Sequence, residues 1–306
     1  MKILVTGANG FIGKSLLQEL HSRGIDAVGG VRSGFEKGPF VKSPSLSAEA
    51  DWRNALRGID VVIHTAGMAH IVVNPEDQGV QTLHEINALG TARLAEQAAA
   101  AGVKRFVFLS SIGVNGNTTA VPFKADDMPR PVEPYAVSKL AAESLLDEIA
   151  ERSGMEVVVV RPPLVYGKDA PGNFGRLVKL VEKGLPLPIG SVSNHRSFVS
   201  VDNLADLLIV CAAHPSAAGQ VFLAADGEDL STAELIRKIA YYLKRPSRVF
   251  PFPVPLLKAG ARLVGKYPFF IRLCGSLQVD ISKNRTLLGW EPPVSIDESL
   301  RRALRS

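Results

Sequence analysis

The sequence predicts an α/β fold: a doubly wound parallel sheet with helices on both faces, followed by a smaller α+β lobe. Three observations lead there. Short runs of β-branched and other apolar residues alternate with longer amphipathic stretches across the first half of the chain. The runs are apolar at nearly every position, as in strands covered on both faces, and helical crossovers are what parallel strands need. A glycine-rich turn directly follows the first run, where such sheets place a ligand.

Taken in order, "KILVTG" (2–7) is the first strand and "GKSLLQELHSRG" (13–24) the helix after it. "DAVGGVR" (26–32) is the second strand. A helix is expected around "DWRNALRG" (51–58), and "DVVIHTAG" (60–67) is the strand that follows. "LHEINALGTARLAEQAAAAG" (83–102) is a long helix and "RFVFLSS" (105–111) a strand. "PYAVSKLAAESLLDEIAERSG" (134–154) is a helix and "EVVVVRP" (156–162) a strand. Composition shifts after position 165, where "YGKDAPGNFG" and "KGLPLPIGSVSNHRS" are rich in loop formers. The expected division is residues 1–165 for the first domain, with 197–215 packing back on it, and 166–306 for the smaller lobe. The prolines of "RPSRVFPFPVPL" (245–256) mark a non-helical crossing. Residues 252–275 have two readings: an interfacial amphipathic helix, or a helix pair packed on the lobe's own core.

The bulk properties narrow the function. The chain has 306 residues, 46% hydrophobic and 21% charged, which is ordinary for soluble proteins. No apolar run reaches the length of a membrane span. The N-terminus runs from one lysine straight into a strand pattern, so no leader is expected. Two cysteines, Cys211 and Cys274, make neither a disulfide framework nor a zinc site, so a cytoplasmic location is expected. The net charge of +5 comes without an aromatic-interleaved basic stripe. That excludes nucleic acid and favours an anionic small ligand.

"TGANGFIG" places Gly7, Gly10 and Gly13 between the first strand and its helix. Glycines there let the backbone turn sharply and approach a pyrophosphate, which then meets the helix N-terminus. In "YAVSK", Tyr135 and Lys139 lie one turn apart on one helix face. Pro134 suits the first helical position and puts Tyr135 near the positive end of the helix dipole. The ammonium and the dipole together are expected to lower the phenol pKa from its usual value of about 10, giving an acid–base group.

The spacing GxxGxxG together with "VVIHTAG", "INALGT", "RFVFLSSIGVNG", "PYAVSK", "VVVRPPLVYG" and "RSFVSVDNLADL" resembles the extended short-chain dehydrogenases/reductases, the NAD-dependent epimerase/dehydratase family. The resemblance covers nearly the whole chain and implies a Rossmann-like sheet with a nucleotide-sugar lobe. It implies Ser111, Tyr135, Lys139 and Asn87 as the catalytic set. Ser111 would hydrogen-bond the substrate oxygen, with adjacent Ser110 facing the other way. Asn87 would serve as a buried amide, a proton relay, or both. Cofactor contacts would come from Gly7, Gly10, Phe11, Ile12, Gly13, Ala66, Gly67, Tyr135, Lys139, Pro162 and Leu164. Asn173, Leu187, Ile189 and Arg196 would hold a UDP-linked sugar, the arginine by its two-pronged grip on phosphate. Relatives of this type form homodimers through the helices at 83–102 and 134–154.

The sequence departs from the family pattern in ways that bear on activity. Relatives selective for NAD end the second strand with an acid; here stand Val31, Arg32 and Ser33, so Arg32 favours NADP(H), with NAD(H) possible. Ser45 stands where many relatives place an acid beside the adenine. "SIGV" lacks the Asp–Glu pair of the dehydratases, which argues against dehydration. The favoured expectation is a 4-keto reductase of a UDP-4-keto-6-deoxy-N-acetylhexosamine, making UDP-N-acetylquinovosamine for surface polysaccharide such as O-antigen. The alternatives are a UDP-glucose or UDP-N-acetylglucosamine 4-epimerase and, more remotely, a non-catalytic dinucleotide sensor.

Overall fold

A computed structural model describes residues 1–34, 38–69 and 78–305. Its first layer is a seven-stranded sheet in the order β3-β2-β1-β4-β5-β6-β9. The strands are β1 (Ile3–Thr6), β2 (Ala27–Val31), β3 (Phe40–Lys42), β4 (Val61–His64), β5 (Arg105–Leu109), β6 (Glu156–Arg161) and β9 (Val221–Leu223). All neighbouring pairs run parallel. A second sheet of three strands joins β7 (Leu164–Tyr166), β8 (Arg196–Ser200) and β10 (Asp229–Leu230), with β8 in the centre.

Strand alternation sorts the side chains into two cores. Ile3, Val5, Ile63, Val107 and Val158 face one way, against α1 (Phe11–Ser22) and α6 (Val201–Ala213). Leu4, Val62, Phe106, Phe108 and Val159 face the other way, against Ala88, Leu94 and Ala98 of the helical stretch that α2 (Gln78–His84) opens and Ala142 and Leu146 of α4 (Pro134–Ser153). Both faces of each central strand are therefore dry, which is why the sequence shows continuous apolar runs. The return of α6 onto α1 and of β9 onto β6 brings the second half of the chain back to the first sheet. A third core, built on Tyr166, Phe174, Ile189, Phe198, Ile239 and Leu300, lies under α5 (Asn173–Glu182), α7 (Thr232–Tyr242) and α11 (Ile296–Leu304).

Two expectations need correction. Residues 51–58 form turns, not a helix. The Trp52 N–H donates to the Gln97 side chain at 2.7 Å, and Gly58 at φ +67° ends the short turn there. The helix expected over 83–102 is broken in character: α2 and α3 (Gly90–Ala100) are joined by a π-turn at Glu85–Leu89. Such turns cluster at functional sites because they re-aim side chains within an otherwise regular helix. The stretch 252–275 is a pair of short helices, α8 (Val254–Leu263) and α9 (Tyr267–Cys274), followed by α10 (Ser282–Leu288). Among the described residues no helix is long and apolar enough to cross a membrane.

Candidate active site

The carboxyl ends of the parallel strands bring the sequence-selected residues to one edge of the sheet. Gly7 follows β1, Arg32 follows β2, Ala66 and Gly67 follow β4, Ser111 follows β5 and Pro162 follows β6. Gly7 adopts φ +68°, which favours glycine, and an added Cβ there would stand 2.9 Å from the Ala66 backbone. A Cβ at Gly13 would collide with the Gly7 carbonyl and approach Thr65 Oγ1 to 2.8 Å. The turn thus needs both glycines, for different reasons. Helix α1 starts at Phe11 with no acid in its first turn and no side-chain cap. Its N–H groups and positive end are left for an anion, so these residues fit the diphosphate of a dinucleotide. Phe11 itself packs toward the third core, and Ile12 toward the first; either can offer a ligand its backbone. Arg32 is exposed and lies two residues beyond Gly30, the register partner of Thr6. Ser45 is exposed too, while Ser43 is buried and its N–H donates to the Val31 carbonyl at 2.9 Å.

Helix α4 supplies the candidate acid–base pair. Its first residue is Pro134, and no side chain caps it. Lys139 is buried, with Nζ 4.2 Å from the centre of the Phe108 ring. An added Cβ on Gly67 would stand 3.7 Å from Lys139 Nζ and 3.2 Å from Asn87 Oδ1, so these three residues converge. The Asn87 amide is fully used. Its Oδ1 accepts from Met68 N–H at 2.8 Å, and Nδ2 donates to Met68 O and to Ser138 Oγ, each at 3.0 Å. Ser138 donates in turn to the Tyr135 carbonyl at 2.8 Å. Asn87 therefore ties the loop after β4 to the first turn of α4, as a satisfied buried amide. Ser111 Oγ accepts from Gly113 N–H at 3.1 Å, leaving its own O–H without an acceptor among the described residues. Ser110 turns the other way and donates to buried Glu143.

The expected lowering of the phenol pKa does not occur in this structure. Burial pushes Tyr135 up to about 12. Burial also pushes Lys139 down to about 7, with the carboxylate of Glu143 acting against it. Desolvation outweighs attraction because neither group has a bonded counter-charge in the pocket; the ammonium rests over Phe108 instead of on the phenol.

A model of the NAD-dependent epimerase/dehydratase family matches residues 3–225. The chain belongs to that family. It is an enzyme of the short-chain dehydrogenase/reductase type, with the Rossmann-like fold. It is 42% identical over 310 residues to a UDP-glucose 4-epimerase of Vibrio cholerae, covering 99% of this chain and 94% of that one. It is 30% identical over 256 residues to a GDP-6-deoxy-D-mannose reductase of Pseudomonas aeruginosa, covering 80% and 79% of the two chains. Among solved structures, MoeE5 in complex with UDP-glucose and NAD superposes with a TM-score of 0.79 at 27% identity, covering 99% and 97%.

In this family member, the residues expected to hold the sugar nucleotide fall in three kinds of place. Asn173 is exposed at the start of α5, behind Gly172 at φ +76°. Leu187 bridges Val249, and Ile189 is buried in the third core, so it can offer a ligand only its backbone. Leu164, expected at the cofactor, begins β7 and packs on the same core. Arg196 Nη1 donates to the carbonyls of Arg272 and Gly275 at 3.0 and 2.9 Å. No carboxylate pairs with Arg196 among the described residues, and burial lowers its pKa.

Sequence reasoning missed the polar residues beneath the site. Arg161, at the end of β6, grips Glu143 of α4 through Nε at 3.0 Å and Nη2 at 2.5 Å, and donates to Asn115 Oδ1 at 3.0 Å. Asp226 accepts from Tyr166 Oη at 2.6 Å and Asn203 Nδ2 at 2.7 Å, joining the two sheets. His64 lies buried between Thr6 Oγ1 at 2.7 Å and Thr91 Oγ1 at 3.0 Å, stacked on Phe108. The available signal was a single polar residue inside an apolar run, as in "VVIHT" and "VVVVRP".

Burial, with Lys139 nearby, pushes His64 down to about 3. Between pH 6.5 and 3 the unfolded chain therefore binds a proton at this residue that the folded chain refuses. Stability should fall as pH drops through that window, by up to about 1.4 kcal/mol per pH unit from this group. His64→Gln should flatten the dependence of unfolding free energy on pH over that range relative to the parent. Parallel curves for the two proteins would show that His64 does not carry the effect.

Proposed function

We propose that the enzyme transfers hydride at C4 of a UDP-linked hexose, and favour reduction of a UDP-4-keto-6-deoxy-N-acetylhexosamine in cytoplasmic surface-polysaccharide synthesis. The observation that carries the reading is that Gly7, Gly67 and Ser111 follow the carboxyl ends of β1, β4 and β5, with Lys139 Nζ beside Gly67 and Tyr135 one turn before Lys139 on α4. The nicotinamide, when bound, supplies the hydride chemistry. Lys139 binds the adjoining ribose hydroxyls. Ser111 donates its free O–H to the C4 oxygen, and Tyr135 gives that oxygen a proton. A desolvated phenol that stays protonated near neutral pH suits the donation that reduction requires. Asn87 and Ser138 hold the loop and the helix that present these groups. Arg196, which has no acidic partner among the described residues, would hold the diphosphate.

A second reading, 4-epimerisation, is favoured by the 42% identity to the Vibrio cholerae UDP-glucose 4-epimerase. An epimerase regenerates its cofactor each cycle, whereas a reductase consumes it. The purified enzyme should oxidise NADPH stoichiometrically with a UDP-4-keto-6-deoxy-N-acetylhexosamine, and should not invert C4 of UDP-glucose or UDP-N-acetylglucosamine without added cofactor. Interconversion of the C4 epimers without net NADPH loss would replace the first reading with the second. Absence of any hydride transfer would leave a dinucleotide sensor.

Arg32 supports NADP(H) as the preferred cofactor, because it stands exposed at the end of β2 with no acid beside it in sequence. Fluorescence titration should give tighter binding of NADPH than of NADH, and Arg32→Asp should reverse the order. Equal affinities in the parent would assign Arg32 to solvent. We further propose a homodimer through α2–α4, supported by exposed Leu89 and Val137 beside an open groove that also includes Val80 and Pro134.

A further inference from the structure

Residues 244–279 contain seven lysines and arginines and no aspartate or glutamate. The whole chain has 35 basic and 30 acidic residues, so everything outside this segment carries 28 against 30, a net −2. The net positive charge of the protein is thus owed to one stretch. That stretch folds as the α8–α9 hairpin and its flanks. Of the seven cations only Arg272 has an acidic partner among the described residues, Glu133 at 2.8 Å.

The same hairpin exposes apolar side chains. Helix α8 has no buried residue; Val254 and Leu257 rest partly on the third core. Leu256 and Leu263, two turns apart on one face, are 60% and 88% exposed. Val264 at the hairpin's turn is 68% exposed and Phe269 on α9 is 56% exposed. Lys258, Arg262 and Lys266 are exposed around them. The hairpin therefore has an apolar tip among cations that have no acidic partner among the described residues, Arg262 resting over the Tyr267 ring, and a patch of that kind marks an interaction site.

The charge selects the occupant. A second copy in a symmetric contact would set seven cations against seven, which repel. An anionic bilayer satisfies both features at once: cations over lipid phosphates, apolar tip at the boundary between headgroups and acyl chains. Helix α8 has ten residues, enough to lie in that boundary and too few to span it. We infer that the α8–α9 hairpin docks the enzyme peripherally on anionic membranes. The docked element is fastened to the sugar-nucleotide lobe, since Arg196 binds the carbonyls at the end of α9. The inference stands whichever reaction at C4 the enzyme performs.

Sedimentation of the full-length enzyme with vesicles tests it. Vesicles of phosphatidylcholine with about one-third phosphatidylglycerol should bind at least ~10-fold more enzyme than phosphatidylcholine alone, and about 0.5 M salt should release it. The double variant Leu263→Asp/Phe269→Asp and, separately, Lys258→Glu/Lys266→Glu should each lower binding by ~10-fold or more. All four side chains are exposed, so thermal stability and dinucleotide binding should be unchanged, and that control separates lost docking from lost folding. A Phe269→Trp reporter should shift its emission to the blue on anionic vesicles. Equal binding to both vesicle types, no binding, or salt-sensitive binding without a blue shift would overturn lipid docking. A parent that instead self-associates through this face, with monomeric Leu263→Asp/Phe269→Asp, would overturn it in favour of a second copy.

Discussion

Tyr135→Phe should lower hydride transfer by about 10²–10⁴-fold, the range typical of a lost acid–base group, while dinucleotide affinity stays within several-fold of the parent. The two effects separate because the proposed roles give the phenol and the ammonium different tasks on one helix face. Lys139 sits beside Gly67 and the Phe108 ring, reaching the site without help from the phenol. The Tyr135 hydroxyl has no hydrogen-bond partner among the described residues, so removing one oxygen disrupts no internal bond. The backbone of Tyr135, which Ser138 holds, is unaffected by the change. Single-turnover oxidation of the reduced nicotinamide measures the chemical step, and fluorescence titration measures binding. Retention of more than roughly a tenth of parental turnover would remove Tyr135 from the acid–base role.

The parallel sheet was legible because its strands are buried on both faces, and a chain of this composition has little use for continuous runs such as "VVIH" and "VVVV" outside a covered sheet. Gly7 and Gly13 were legible because backbone conformation and close approach leave no other residue type. The helix expected at 51–58 was wrong because its apolar residues, Trp52, Ala55 and Leu56, are buried by turns and pinned by the distant Gln97 side chain. A tertiary bond of that kind overrides local pattern and leaves no periodic trace. The π-turn around Asn87 was invisible for a related reason: one extra residue rotates the helical phase by about 100°, but α2 before it, with seven residues, is too short to set a phase to compare.

The candidate site divides along the same line. Tyr135 and Lys139 stand out as candidates by their spacing, and Ser111 by the family resemblance. Their electrostatics could not be read that way, because the direction of the Tyr135 shift depends on how much water burial removes. A tyrosine four residues before a lysine looks activated on paper. In the folded chain both groups are desolvated, and each is pushed toward its neutral form. The charges underneath were missed for want of a motif: Glu143 and Arg161 are adjacent only because α4 packs across β6.

Arg161→Met should destabilise the fold by about 3–5 kcal/mol, the cost of leaving a buried carboxylate without its partner. Arg161 and Glu143 are each only 5% exposed, and the arginine makes three hydrogen bonds, two to Glu143 and one to Asn115. Methionine fills much of the same volume, so the loss measured is mainly electrostatic and not a cavity. A midpoint lowered by about 5–10 °C in thermal unfolding is expected. Glu143→Gln added to Arg161→Met should recover at least half of that loss. The amide carries no charge, and its oxygen can still accept from Ser110 where the carboxylate does now. The pair also lies one turn below Lys139, whose ammonium Glu143 helps to keep charged. The rescued double variant should therefore fold well and still bind dinucleotide more weakly than the parent. If Arg161→Met cost less than about 1 kcal/mol, water would have to reach Glu143, and the dry floor assigned to this site would be wrong.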